Sequence, residues 1–226
     1  MGLRRKTVFI FLLSVLGLGL VSRAFSASPA QTLTPTQSAE TPLFKALMSA
    51  QADPHSMVYE VKRGDNLTSI AKKNGVTADL IKKINGLSGD KLIPGKKLKI
   101  PNYKFSVVVD KSQNTLLLKG NEEALKTYVV STGKNNSTPV GVFKITDKLI
   151  DPTWYKPNAV LPPGSPENIL GTRWLGISKE GYGIHGTTEP EKLGQQVTAG
   201  CVRMRNNEVE ELYAIVPAST EVTIVD

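Results

Sequence analysis

The chain has 226 residues and a mass of 24.5 kDa, room for one ordinary domain and a small one, and its 40% hydrophobic content fits a globular protein with a real core. The net charge of +8 is local: residues 1–24 carry +4, residues 56–101 carry ten basic against four acidic residues, and the remainder is slightly acidic. One cysteine excludes an internal disulfide, and with only two histidines the metal inventory is poor, so no metal and no other cofactor is expected.

In chain order, Arg4-Arg5-Lys6 precedes an apolar run from Val8 to Val21, and Ser22-Arg23-Ala24 follows with small residues. This reads as a secretory signal over residues 1–27, because the run falls short of the roughly twenty residues that span a bilayer. Residues 28–56 are rich in Ser, Thr, Pro, Gln and Ala and read as a flexible linker, in which Leu43 to Met48 could form one helical turn or more and His55 is a linker residue.

Residues 57–101 are punctuated as strand, helix, helix, strand. A short strand from Met57 stops at Gly64-Asp65, and Asp65 or Asn66 caps a helix with Leu67, Ile70 and Ala71 on one face. Gly75 follows that helix, Thr77 caps a second one bearing Leu80, Ile81 and Ile84, and Pro94-Gly95 turns the chain into a strand from Lys97 to Ile100. The wording Tyr59-Glu60-Val61-Lys62-Arg63-Gly64-Asp65-Asn66-Leu67, the central Asn85 and the closing Leu92-Ile93-Pro94-Gly95 resemble the LysM module, with Asn66 where that family usually has Thr. The resemblance implies binding of peptidoglycan strands through their N-acetylglucosamine, with Gly64, Asp65, Asn66, Ile93 and Pro94 as the groove residues. The local positive charge would favour an anionic wall polymer. Nucleic acid is not an expected partner, since no aromatic residues are interleaved with the lysines.

After Pro101 the pattern changes to strands: Phe105 to Val109, Thr115 to Leu118, Ala124 to Ser131, Gly141 to Ile150, Leu175 to Ile177, Gly183 to His185 and Glu221 to Val225. One helix starts at Asn206 or Asn207, places Val209, Leu212, Tyr213 and Val216 on one face, and stops at Pro217. The fold class is therefore α+β: a small β-α-α-β module followed by a mostly antiparallel, sandwich- or barrel-like β domain over residues 104–226.

Chemistry concentrates in Gly183-Ile184-His185-Gly186-Thr187 and, sixteen residues past the histidine, Gly200-Cys201-Val202-Arg203. A thiol needs an imidazole or a cation nearby to be a nucleophile at neutral pH, and His185 and Arg203 are the candidates. Gly200 leaves room for a substrate backbone, and N–H groups around Gly200 and Cys201 could hold an oxyanion. This stretch resembles the signature of the L,D-transpeptidase catalytic domain, as do Ser131-Thr132-Gly133-Lys134 and Asn168 to Leu175.

The resemblance implies that Cys201 is the nucleophile, His185 the base, the Gly186 carbonyl its orienting partner and Arg203 the family arginine. Thr198 falls on the Ser/Thr position of the signature, and Ala199 stands where a second histidine is common. Thr187, Thr198 and Trp174 are the candidate substrate contacts. The implied reaction is acyl transfer within peptidoglycan: a thioester with a tetrapeptide stem, release of D-alanine, and transfer to an amine to give a crosslink between two third residues, with carbapenems as inhibitors. An L,D-carboxypeptidase on the same site and a non-catalytic wall-binding protein are the alternatives. Sortases are disfavoured because their cysteine follows Thr directly, and papain-like peptidases because their Cys precedes His.

Overall fold

The computed structural model describes residues 37–226. The expected signal segment and the first part of the expected linker lie outside the described residues.

The second part of that linker is structured, and the helix that the sequence allowed from Leu43 to Met48 is formed. β1 (Ala39–Glu40) precedes α1 (Pro42–Met48). Thr41 caps α1 by accepting the Phe44 N–H at 3.2 Å, and Pro42 sits in the first turn, where its missing N–H costs nothing. Phe44 and Leu47, one helical turn apart, are 2% and 0% exposed. Their burial, worth about 1.5–3 kcal/mol for each side chain, anchors the seven-residue helix to the core.

The β-α-α-β module comprises β2 (Ser56–Glu60), α2 (Leu67–Lys73), α3 (Ala78–Ile84) and β3 (Lys97–Pro101), with β2 and β3 antiparallel. Of the two expected caps for α2, Asn66 is the one used: its Oδ1 accepts the Ser69 N–H at 2.8 Å. Thr77 caps α3 in the same way through the Leu80 N–H. Asn85 ties α3 to β3, donating to the Lys99 carbonyl and accepting the Lys99 N–H, both at 2.8 Å. Lys99 itself is buried, and its Nζ donates to the carbonyls of Ala46, Leu47 and Ser49 at the end of α1.

The larger domain follows with β4 (Phe105–Asp110), β5 (Thr115–Gly120), β6 (Glu123–Val129), β7 (Thr132–Gly133), β8 (Gly141–Ile150), β9 (Trp154–Lys156) and β10 (Ala159–Leu161). It closes with β11 (Arg173–Ile177), β12 (Gly183–His185), β13 (Gln196–Thr198), β14 (Val202–Arg203), α4 (Asn206–Ile215) and β15 (Glu221–Val225). Val107 and Val109 of β4 alternate inward opposite Leu118 and Leu116 of β5, as the period of two requires. A nine-stranded sheet runs in the order β1-β6-β5-β4-β15-β8-β11-β12-β14.

Most of its pairs are antiparallel. Two parallel pairs are the exceptions: β15, which inserts between β4 and β8, runs parallel to β4 and antiparallel to β8, and β12 runs parallel to β14. α4 buries Val209, Leu212 and Ile215, and Val216, expected on its apolar face, is buried just beyond its end. The small module packs α3 against α4, and the Thr77 hydroxyl donates to the Ala214 carbonyl. No helix among the described residues is long and apolar enough to cross a membrane.

Candidate active site

The parallel pairing of β12 with β14 sets Ile184 opposite Val202 and His185 opposite Arg203. Cys201 enters β14 just before that register begins, so the pairing brings the thiol loop to the imidazole's strand. His185 is 3% exposed, and its Nδ1 lies 2.7 Å from the Gly186 carbonyl. A carbonyl only accepts, so Nδ1 carries the proton and Nε2 keeps its lone pair. Burial pushes the His185 pKa down to about 4, with the Arg203 charge acting in the same direction and the Gly186 and Leu170 carbonyls opposing it. At neutral pH the ring is an uncharged base.

Cys201 is partly exposed, and its thiol donates weakly to the Gly181 carbonyl at 3.7 Å. Burial pushes its pKa up, outweighing a backbone hydrogen bond from Gly183 and the charge of Arg203. Desolvation thus outweighs the pull of Arg203 on the thiol and favours a resting pair of neutral thiol and neutral imidazole.

The loop carrying the cysteine is built by Thr198. Its hydroxyl donates to the Cys201 carbonyl at 2.7 Å and accepts the Gly200 N–H at 3.1 Å. Thr198 therefore braces the loop, although it also lines the cleft. The Gly200 amide is consumed in this brace, whereas the Cys201 N–H makes no hydrogen bond among the described residues. Gly200 has a φ of +137°, and a Cβ on it would meet the Tyr182 ring at 2.7 Å. The space the sequence reading reserved for a substrate backbone is filled by that ring.

Thr187 is not brought into the cleft. Its hydroxyl accepts the Glu189 N–H at 2.9 Å, and the residue is 3% exposed. Arg203 is 4% exposed and ion-paired to Glu189 Oε2 at 2.9 Å, yet it lines the cleft and its Nε has no partner among the described residues. Trp174, half-buried, also lines the cleft, with its ring stacked on that of His185 at 5.9 Å. The cleft has a volume of about 550 Å³ and mainly apolar walls, including Trp154, Tyr155, Leu170 and Tyr182. Sequence reasoning missed Tyr182, Glu189 and Asn206. The glycines flanking Tyr182 were its one local signal.

At the other candidate site, Val61 exchanges backbone hydrogen bonds with Gly95 and Lys96, which sets the loop carrying Gly64, Asp65 and Asn66 beside Ile93 and Pro94. Ile93 is 64% exposed and Pro94 is also exposed. Asp65 is occupied locally, accepting the Lys62 N–H at 2.7 Å and the Tyr59 hydroxyl at 2.8 Å, and these bonds hold its carboxyl below the usual range. Asn66 is occupied as the cap of α2.

The profile of the L,D-transpeptidase catalytic domain matches residues 104–224, which include every residue of this cleft. The chain belongs to the L,D-transpeptidase family. Residues 59–101 match the LysM domain. The transpeptidase is 36% identical over 176 residues to YkuD of Bacillus licheniformis, which carries the L,D-transpeptidase name, covering 74% of this chain and 98% of that one. It is 40% identical over 126 residues to YqjB of Bacillus subtilis, which carries the same name, covering 53% and 70%. A crystal structure of an L,D-transpeptidase from Mycobacterium tuberculosis superposes with a TM-score of 0.48 at 13% identity, covering 80% of this chain and 99% of that one.

Proposed function

We propose that this L,D-transpeptidase works through a thioester on Cys201, with His185 as general base and then general acid. The observation that carries the reading is the meeting, in one cleft, of the chain's single thiol with a buried imidazole whose Nδ1–H is already fixed. Because the resting pair is neutral, the thiol proton moves to Nε2 as sulfur attacks, rather than beforehand.

The attacked group is the carbonyl of the third residue in a peptidoglycan tetrapeptide stem. The C–S bond forms, the oxyanion is held by the Cys201 N–H, and collapse breaks the bond to D-alanine, whose amine takes the proton from His185. An amine of a second stem then attacks the thioester, gives its proton to Nε2, and returns Cys201 to the thiol with a crosslink between two third residues. Arg203, fixed by Glu189, braces the loop and adds a cationic edge to the cleft.

The LysM domain would hold glycan strands on the face formed by Gly64, Ile93 and Pro94, with Asp65 and Asn66 shaping the loop. Its charge would favour anionic wall polymers as a second attraction. The protein would accordingly be exported through its N-terminal segment and act at the cell wall.

The test is incubation of purified protein, and of Cys201→Ala, with a disaccharide-tetrapeptide muropeptide, followed by mass spectrometry. A dimer linked between two third residues, present only with the thiol, is the expected product. Tripeptide without dimer would replace the proposal with a carboxypeptidase, and unchanged substrate would leave only wall binding.

A further inference from the structure

Asn206 was expected, on sequence grounds, at the start of the last helix, where asparagine ordinarily caps. It is the first residue of α4, as the sequence placed it, but the cap position is Arg205 and no side chain caps the helix. The Asn206 Oδ1 points away from its own helix and accepts two backbone N–H groups, Thr187 at 3.0 Å and Thr172 at 3.3 Å. Room for it is made by two glycines: a Cβ on Gly186 would lie 2.1 Å from Oδ1, and one on Gly171 would lie 2.2 Å from it.

The Thr187 N–H belongs to the same peptide unit as the Gly186 carbonyl, and that carbonyl accepts His185 Nδ1–H at 2.7 Å. We infer that Asn206 is a positioning residue for the imidazole, acting through the Gly186–Thr187 peptide as a relay that both orients and polarises the carbonyl holding Nδ1–H. An amide whose N–H is donated to a good acceptor has a more basic carbonyl, because hydrogen bonds in a chain polarise one another. The relay thus gives this site a neutral counterpart of the acidic third member found in many Ser-His and Cys-His enzymes.

Other groups bear on the ring. Arg203 faces it from β14 and is paired with Glu189, Cys201 lies in the same cleft, Trp174 stacks on it from β11, and Arg205 at the cap position of α4 pairs with Glu208 in its first turn. The Leu170 carbonyl also acts on the ring, while among the described residues no carboxylate bonds to it and the Gly186 carbonyl is the acceptor at Nδ1.

The inference rests on the thiol–imidazole reading of the site but not on the identity of its substrate. The chain has two histidines and one thiol, so both reporters are specific. Full-length protein labelled with ¹⁵N-histidine, together with Asn206→Ala and Asn206→Asp, would be read by the Nδ1–H resonance and titration of His185 and by the pH-dependent rate of Cys201 alkylation with iodoacetamide. In Asn206→Ala the Nδ1–H resonance should move upfield and alkylation should slow about tenfold, the scale of a small misplacement of a reacting group. In Asn206→Asp, which keeps the acceptor and adds charge, both should be restored and the His185 midpoint should rise by about one unit.

A folded Asn206→Ala protein with an unchanged Nδ1–H resonance and alkylation rate would overturn the relay and leave Asn206 a loop pin. Should that variant not fold, an Asn206→Asp protein whose His185 midpoint stays at the wild-type value would overturn it equally. D-alanine release measured on the same wild-type sample separates the two proposals, since its absence would sink the transfer mechanism while the imidazole data still decide the relay.

Discussion

Trp174 and His185 face each other across β11 and β12, and their rings stack with centroids 5.9 Å apart and planes 19° from parallel. The indole is one wall of the desolvated pocket that keeps the imidazole uncharged. Gly183 makes the contact possible, because a Cβ there would lie 2.6 Å from the indole. Trp174→Ala should therefore admit water and raise the His185 pKa from about 4 toward 6.5, whereas Trp174→Phe should leave it low. Histidine NMR titration of the two variants checks this; equal midpoints would mean that the other walls, not the indole, desolvate the ring.

The same depressed value makes a stability prediction. His185 titrates near 4 when folded against 6.5 in the unfolded chain, so between those values the unfolded state binds the extra proton. The stability tied to the neutral ring is complete above about pH 6.5 and is lost as the pH falls toward 4, by on the order of 3 kcal/mol. His185→Gln should lose less stability than wild type between pH 7 and 4.5, as measured by urea midpoints. Identical losses in the two proteins would show that His185 is not buried uncharged.

Gly200→Ala should cost about 1–3 kcal/mol in backbone strain and push the Tyr182 ring off the nucleophile loop. Its thermal midpoint and its rate of Cys201 alkylation should both fall. If Tyr182 merely rotates away without consequence, Gly200→Ala combined with Tyr182→Ala would alkylate no differently from Gly200→Ala alone.

Leu47→Ala probes the segment that composition had marked as linker. Leu47 is fully buried in α1, so the loss should be about 2–5 kcal/mol. An unchanged urea midpoint would return residues 42–48 to the status of a linker.

Exposure to a carbapenem should raise the intact mass by one inhibitor per chain and leave Cys201→Ala unmodified, since the strained acyl group is attacked by the same thiol. Modification of the alanine variant would place the nucleophile elsewhere.

Much of this protein is written locally. The caps at Asn66 and Thr77 and the alternation of β4 and β5 follow from hydrogen bonds and side-chain periods that span only a few residues. His185 and Cys201 were legible because each is scarce in the chain and flanked by glycine. Composition allowed α1 but left its burial open, because Phe44 and Leu47 enter a core formed by distant residues. Chain order likewise left undetermined which amides stay free, why Gly200 must be glycine, and that Thr187 turns away from the cleft. The tertiary structure decided those points through the parallel pairing of β12 with β14 and through Asn206, nineteen residues from the amide it binds. Such contacts are set by packing between segments far apart in the chain, and no local period or propensity encodes them.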